Sequence, residues 1–404
     1  LMFSLAFRNI FRQKVRTAMT LAAIVFGVLG LILGGGFIQD MLTQLAETII
    51  HSQSGHIQIN RKGFFESGSR SPEKFLIDRP DEVRTTSASL PGIDDQMARI
   101  SFSGLLNNGK TDKSVLGEGI EPDRETRLGS LLRIIAGRQL TNDDRYGALV
   151  GEGIATSLKL EPGSRVTLVA NSTEGALNTV ELEVVGVFQS FSKEFDASAV
   201  RIPLAAAQEL LASAGVNTIV VSLQRTSDTD RTVNSLRQLL DPDDYEVRAW
   251  YQINDFYEKA VALYERQFSV LILIILVTVL LSVANSVNMS VSERVGEFGT
   301  MMAVGNRPGQ IFRLIVVENV LLGASGAAIG AALGVLMALA ISAVGVPMPP
   351  PPNANLGYTA HVAIVPSQIA LAFAVGFLAT VLASLFPAFR VARIPVVEAL
   401  RQNV

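Results

Sequence analysis

The run GLLNNGKT at residues 104–111 satisfies the phosphate-binding pattern G-x-x-x-x-G-K-[ST], in which backbone N–H groups and a lysine would hold nucleotide phosphates. That chemistry requires a buried strand leading into the loop and a helix starting at Lys110, so that the helix N-terminus faces the phosphates. The flanks instead read ARISFSGLL and KTDKSVLGEGI, two alternating segments joined at NNG. Asn-Gly is a strong hairpin-turn signal because both residues tolerate positive φ. A hairpin is therefore expected, and no nucleotide site. Other chemistry is equally thin: His51, His56 and His361 have no metal-ligand spacing, there is no cysteine to supply a thiolate, and no G-x-S-x-G elbow is present. No metal and no catalytic residue is expected in this chain.

The elements that would position such residues come from composition. Across 404 residues, 49% hydrophobic and 18% charged content leans toward a membrane protein, and a net charge of -3 excludes a strongly basic nucleic-acid binder. A helix of roughly 20 apolar residues crosses a ~30 Å hydrocarbon core. Residues 17–39 carry no charge and read as transmembrane helix 1, and 267–290 as helix 2. Between Glu318 and Arg390 there is no Asp, Glu, Lys or Arg, and VPMPPPPNANLGY divides this stretch. The division gives helix 3 at 312–345, a Pro-rich loop at 346–366 and helix 4 at 367–389.

Lys and Arg flanking the spans set the orientation. Arg8, Arg12, Lys14 and Arg16 precede helix 1, Arg294, Arg307 and Arg313 lie between helices 2 and 3, and Arg390, Arg393 and Arg401 follow helix 4. Both termini, the 291–311 connection and the 390–404 tail are thus expected in the cytoplasm, with 40–266 outside. Phe3, Phe7, Ile10 and Phe11 share one helical face, so residues 1–16 read as an interfacial helix.

Within 40–266, alternating runs such as GHIQINR, GSRVTLVA, VELEVVGVF and NTIVVSLQ predict strands, and PLAAAQELLASAG and DTDRTVNSLRQLLD predict helices. The fold class expected is an α-helical membrane domain with four transmembrane helices, plus a large α+β domain inserted between helices 1 and 2.

The connection between helices 2 and 3 reads SERVGEFGTMMAVGNRPGQIFRLIVVEN. Glu293, Arg294 and Glu297 are expected to open a short amphipathic helix, Met301 and Met302 to add adaptable apolar contact, and Gly305 followed by Pro308 to end it. Such a helix suits docking in the groove of another protein, and a solvated connector is the alternative. Gly323, Gly326, Gly330 and Gly334 would let two backbones approach closely, either within one chain or at a dimer seam. Asn285, Ser286 and Asn288 would hydrogen-bond between helices or cap a helix end. No ionisable side chain lies near mid-membrane, which argues against an autonomous ion-coupled carrier.

The connection, through Glu293, Arg294, Glu297, Gly299, Ala303, Gly305 and Glu318, resembles the signature of FtsX-like permeases. These are membrane subunits of the ABC transporter class that includes MacB-type macrolide exporters and the lipoprotein-releasing permeases. LFPAFRVARIPVVEALR is similar to the same family's closing motif, with Pro387, Arg390, Pro395, Glu398 and Arg401 in matching places. GALVGEGIATSLKLEPGSRVTLVA and FDASAVRIPLAAAQELLASAGVNTIVVSL resemble the family's periplasmic core domain, and with Trp250 and the MPPPPN loop look most like the lipoprotein-releasing (LolC/LolE) branch.

The resemblance implies a protein of the bacterial inner membrane, with the inserted domain periplasmic. Its partners would be a cytoplasmic ABC ATPase dimer that binds ATP and Mg, a second permease protomer, same or homologous, and a lipoprotein or lipid substrate with a periplasmic carrier. ATP-driven closure would push on the coupling helix, and stalks at 39–52 and 254–267 would carry the motion outward. Without a fused ATPase domain in this sequence, macrolide export becomes the alternative, as does an FtsX-like scaffold that activates a cell-wall hydrolase. One test of the opening motif follows directly: the purified chain should hydrolyse no ATP, and an ATP photoaffinity analogue should leave residues 104–111 unlabelled. Labelling there would overturn the hairpin reading.

Overall fold

The first apolar run lies in helix α1 (Lys14–Ile49), which continues as one wide π-helical turn at Ile50–Ser54. The inserted segment then alternates strands with short helices: β1 (Ile57–Arg61), α2 (Pro80–Ala88), β2 (Ile93–Asn107), β3 (Asp112–Ile120), α3 (Pro122–Leu128), β4 (Arg133–Gly137), β5 (Gly147–Gly151), α4 (Glu152–Leu158), β6 (Arg165–Asn171) and β7 (Leu177–Gln189). It continues through α5 (Lys193–Asp196), β8 (Ala199–Pro203), α6 (Leu204–Leu211), β9 (Thr218–Leu223), α7 (Thr229–Leu239), β10 (Tyr245–Ala249) and α8 (Trp250–Ile253). Helices α9 (Asp255–Glu293), α10 (Val295–Ala303), α11 (Pro308–Val344) and α12 (Pro366–Ala392) complete the chain, with short strands β11 (Val346–Met348) and β12 (Tyr358–Ala360) between the last two.

This computed structural model describes residues 14–68, 71–128, 132–190, 192–350, 355 and 357–395. Most of the expected interfacial helix at 1–16, and Glu398 and Arg401 of the closing motif, lie outside the described residues. The chain divides into two compact units, one formed by Leu1–Leu42, Ala260–Pro347 and Thr359–Val404, the other by Thr43–Lys259 and Met348–Tyr358.

In the helical unit, α1, α9, α11 and α12 are long and apolar enough to cross a membrane. They overrun the spans expected from hydropathy: α9 begins at Asp255, so the second stalk and the second span are one helix. The core is knitted by residues one turn apart. Val279, Val283, Val287 and Val291 form a buried ridge along α9, and Ile24, Val28, Leu31 and Ile32 face inward from α1.

The glycines of α11 are the seat for α1. A Cβ at Gly326 would stand 3.0 Å from the Ile24 side chain, and one at Gly330 would stand 2.9 Å from Val28 and 3.1 Å from the Val25 backbone. Gly334 meets Ile32 in the same way, and Gly323 meets Thr380 of α12. All four glycines are thus covered by the chain's own helices, which leaves none of them exposed for a dimer seam.

In the other unit, hydrogen-bonded pairing runs β2–β3–β8–β5–β7–β6 and returns to β2, closing six strands on themselves. Period-2 alternation supplies the interior: Ile100, Phe102 and Leu106 of β2, Leu168 of β6 and Leu182 of β7 are buried together, with Ile154 of α4 and Leu210 of α6 packed among them. Strand β2 is long enough to serve a second layer, in which β9, β1 and β10 extend the sheet and Val83 of α2 and Leu236 of α7 cover it.

The opening motif is the β2–β3 hairpin. Asn107 pairs with Asp112, leaving a four-residue loop rather than the two-residue turn that Asn-Gly alone suggests. The extra length is held by side chains: Asn108 Oδ1 accepts from the Lys110 and Thr111 amides at 3.0 and 2.9 Å, and Gly109 takes φ +87°. A strand, not a helix, follows Lys110, so no helix N-terminus is available for phosphate.

His56, fully buried beside β1, accepts the Leu223 amide proton at Nδ1 (3.2 Å), while Nε2 lies 3.2 Å from the Thr226 hydroxyl. Burial, with His51 adding to it, pushes its pKa down from 6.5 to about 4. The unfolded chain therefore takes up this proton first, so the contribution of His56 to stability is intact above about pH 6.5 and is lost as pH falls toward 4. Thermal unfolding of the full chain, read through Trp250, the sole tryptophan, should lose stability over that interval, and His56→Gln should flatten the loss. An equal slope in the variant would assign the acid sensitivity elsewhere.

Candidate functional site

The valine ridge keeps α9 against the bundle through Val291, and the helix ends at Glu293. Arg294 then leaves helical geometry (φ −104°, ψ 9°) and α10 starts at Val295. This corrects the sequence reading, in which Glu293 and Arg294 open the short helix. They form the joint before it, because the ridge continues α9 further than charge patterning suggests.

The joint is held by one guanidinium. Arg294 Nη1 and Nη2 donate to the two carboxylate oxygens of Glu318 on α11 at 2.9 and 3.3 Å, and Nε lies 3.4 Å from Glu297 on α10. Its plane also sits 4.9 Å from the centre of the buried Phe298 ring. Three helices thus meet on a side chain whose planar fork can serve them at once. A second link joins α1 to α9: Arg16 pairs bidentately with Glu293, one contact at 2.6 Å, and the Thr20 and Ser286 hydroxyls lie 2.6 Å apart. Of the two readings open for Ser286, the interhelical bond is the one formed. The charged and hydroxyl side chains of the two links line a cavity of about 300 Å³.

Helix α10 itself faces two ways. Val295, Phe298 and Gly299 are buried, and Met301 and Met302 pack partly against the bundle core. Thr300, Ala303 and Val304 point away, Val304 at 81% exposure, and Arg307, Pro308, Gly309 and Gln310 continue this surface. Gly305, at φ +106°, lets the chain reverse, with its amide bonded to Met302 O and the Asn306 amide to Met301 O. Arg307 then precedes α11, its amide capped by the Gln310 side chain at 2.8 Å, and Pro308 takes the first helical position.

The structure therefore brings Glu293, Arg294 and Glu297 together at one joint, in which Arg294 is largely shielded and Glu293 is exposed. Sequence reasoning missed Arg16 as a member; its only signal was its place as the last of four positive charges before an uncharged run. In the closing motif, Pro387 is buried inside α12, Arg390 lies in its last turn and Pro395 follows the helix, far in sequence from the joint. The arrangement offers no nucleophile with a base, and among the described residues no group of three or more His, Cys, Asp or Glu could hold a metal ion. What it does is tie the end of α9 to α1, α10 and α11.

A family model described as MacB-like periplasmic core domain matches residues 17–239, and one described as FtsX-like permease C-terminal matches residues 269–396. The chain is 24% identical over 317 residues to the lipoprotein-releasing system transmembrane protein LolE of Haemophilus influenzae, covering 75% of this chain and 76% of that one. It is 25% identical over 420 residues to the macrolide export ATP-binding/permease protein MacB of a Shewanella species. That alignment covers 97% of this chain and 59% of MacB, so the chain spans about three-fifths of that relative. Among solved structures, the periplasmic region of MacB from Actinobacillus actinomycetemcomitans aligns with 53% of this chain at 18% identity and a TM-score of 0.38.

The two links should differ in strength. Arg294 and Glu318 are each 13% exposed, whereas Glu293 is 48% exposed. Truncating Arg294 to Ala removes the two bonds it makes to the shielded Glu318 carboxylate and should cost about 1–3 kcal/mol, while Arg16→Ala should cost less than about 1 kcal/mol. Thermal unfolding of the two variants in detergent gives the ranking, and an equal or reversed order would remove Arg294 from the centre of the joint.

Proposed function

The chain belongs to the FtsX-like ABC transporter permeases that carry a MacB-like periplasmic core domain, and on that footing we propose that it couples a separate ATPase to work done by its inserted domain. The ATPase supplies ATP and Mg binding and docks on the exposed turn from Thr300 to Gln310. The observation that carries this reading is the Arg294 joint: because Arg294 holds α9, α10 and α11 together, pressure on the tip of α10 is delivered to both long helices at once. Helix α9 runs unbroken from Asp255, and α1 with its π turn runs unbroken to Ser54. Motion applied at one end of such rods arrives at the other.

In this reading the permease works in the bacterial inner membrane with a second permease protomer. Both termini are cytoplasmic, and the inserted domain is periplasmic, in keeping with the arginines that flank the spans. The substrate class is a lipoprotein or another amphipathic molecule that is extracted from the membrane surface. The match to the lipoprotein-releasing LolE, 24% identical over 76% of its length, supports this class.

Val304→Asp is the informative substitution for docking, since its side chain is already in solvent. Met301→Asp would place charge against the bundle core and confuse docking with folding. The Val304 variant should fold normally and lose co-purification of the ATPase. Retained association with full ATP-driven activity would move the docking surface elsewhere. A photo-crosslinker at exposed Leu177 of the inserted domain should capture lipidated protein. Capture of a soluble wall hydrolase instead would favour a signalling scaffold.

A further inference from the structure

The first stalk does not simply end at Ser54; its last carbonyls are held by two buried arginines. Arg99 of β2 donates through Nη1 to Gln53 O, and Arg201 of β8 reaches Ser52 O through Nη2 at 3.4 Å. Each arginine is fixed from behind by a carboxylate. Arg99 is bidentate to Glu125 of α3, with Nη2 at 2.8 Å, and Arg201 Nε donates to Glu118 of β3 at 2.9 Å. Arg99, Glu125 and Arg201 are all nearly excluded from water. Arg201 also lies 5.9 Å from the centres of the Phe188 and Phe195 rings, which sterically limits its other orientations.

Buried ion pairs of this kind are seldom the cheapest way to fill a core, because apolar side chains of equal volume give similar or greater stability. What apolar side chains cannot do is bond the unsatisfied carbonyls at a helix C-terminus. Those carbonyls carry the negative end of the helix dipole and are widened here by a π turn. Burial alone would push the Arg99 guanidinium down, and Glu125 and Glu118 more than offset it, so it remains a cation. On the far side of the turn, Gln58 of β1 donates to Ser54 O at 3.0 Å, so three successive carbonyls are tied to three strands.

We infer that Arg99 and Arg201, positioned by Glu125 and Glu118, form the clamp through which movement of the first stalk enters the strands of the inserted domain. This rests on the ATPase-coupled reading above and adds where the displacement is handed over. Displacement of Ser52 and Gln53 pulls on β2 and β8, which both belong to the closed ring of strands, so the ring moves as a body with the stalk end. Arg99 and Arg201 are positioning residues: they touch neither nucleotide nor substrate.

The test compares the full-length wild type with Arg99→Met/Glu125→Met, in nanodiscs, with and without its partner ATPase trapped by ATP and orthovanadate, by hydrogen–deuterium exchange. Without nucleotide, the variant should exchange about tenfold faster across residues 50–56 while β5 and β7 are unchanged, as expected for local release in an intact domain. With trapped nucleotide, the wild type should change in residues 50–56 and in β2 and β8 together, and the variant should lose the change in β2, since only Arg201 on β8 still holds the stalk end. Changes that reach β2 and β8 equally in both proteins would overturn the clamp and leave ATPase coupling standing. No nucleotide-dependent change in the wild type would overturn both. Should the double variant fail to fold, Arg99→Lys keeps the charge opposite Glu125 but lacks the fork needed for Gln53 as well. The same uncoupling is expected of it, and wild-type behaviour would count against the clamp.

Discussion

A backbone inside hydrocarbon has no water to bond with, so every spanning segment must satisfy its own N–H and C=O groups, and here each does so as a helix. That constraint produces rods. The helix that begins at Lys14 runs 41 residues to Ser54, about 60 Å at 1.5 Å per residue. A rod of this length can carry displacement only if its ends are attached to something. Polar contacts attach such ends within each unit: Arg16 and Arg294 in the helical one, Arg99 and Arg201 in the other.

The polar contacts are not equivalent. Arg16–Glu293 is half in solvent, where an ion pair contributes little beyond alignment. Arg294 is largely shielded and serves three helices. Arg99 and Glu125 are almost entirely shielded, so that removing either alone would leave a charge in the core without its bidentate partner. Between these ends the bundle relies on shape: valines at four-residue spacing on α9 and glycines at four-residue spacing on α11 let neighbouring helices close to contact distance without any buried charge. Strong directional contacts mark the joints, and non-directional packing fills the lengths between them.

Much of this was legible in the sequence wherever the signal is local. Uncharged runs gave the four long helices, alternation gave the strands of the inserted α+β domain, and NNG gave the hairpin that disarms a phosphate-loop pattern. Reading failed where partners are distant. Arg16 and Glu293 are 277 positions apart, and nothing in either neighbourhood names the other. The glycine spacing on α11 announced close packing, but Ile24, Val28 and Ile32, which fill it, are on another helix. The phase of α10 was also beyond reach: over nine residues the apolar positions fit more than one face, and the structure packs Met301 partly against the bundle core while Val304 is exposed. The family resemblance, by contrast, held over both matched segments.

The order of strands has a consequence for how the protein is made. Among the described residues, strand β1, at 57–61, pairs with β9 and β10, at 218–223 and 245–249. β2 must likewise wait for β6 before the ring can close. Such non-local pairing brings a high entropic cost of loop closure before any contact rewards it, and folding is correspondingly slow. The first strand therefore has no partner until nearly all of the inserted segment has been synthesised, and completion of the domain coincides with the arrival of α9. During translation, an unpaired edge with the pattern IQINR stays open for the full length of that delay, and open strand edges are where chains associate wrongly.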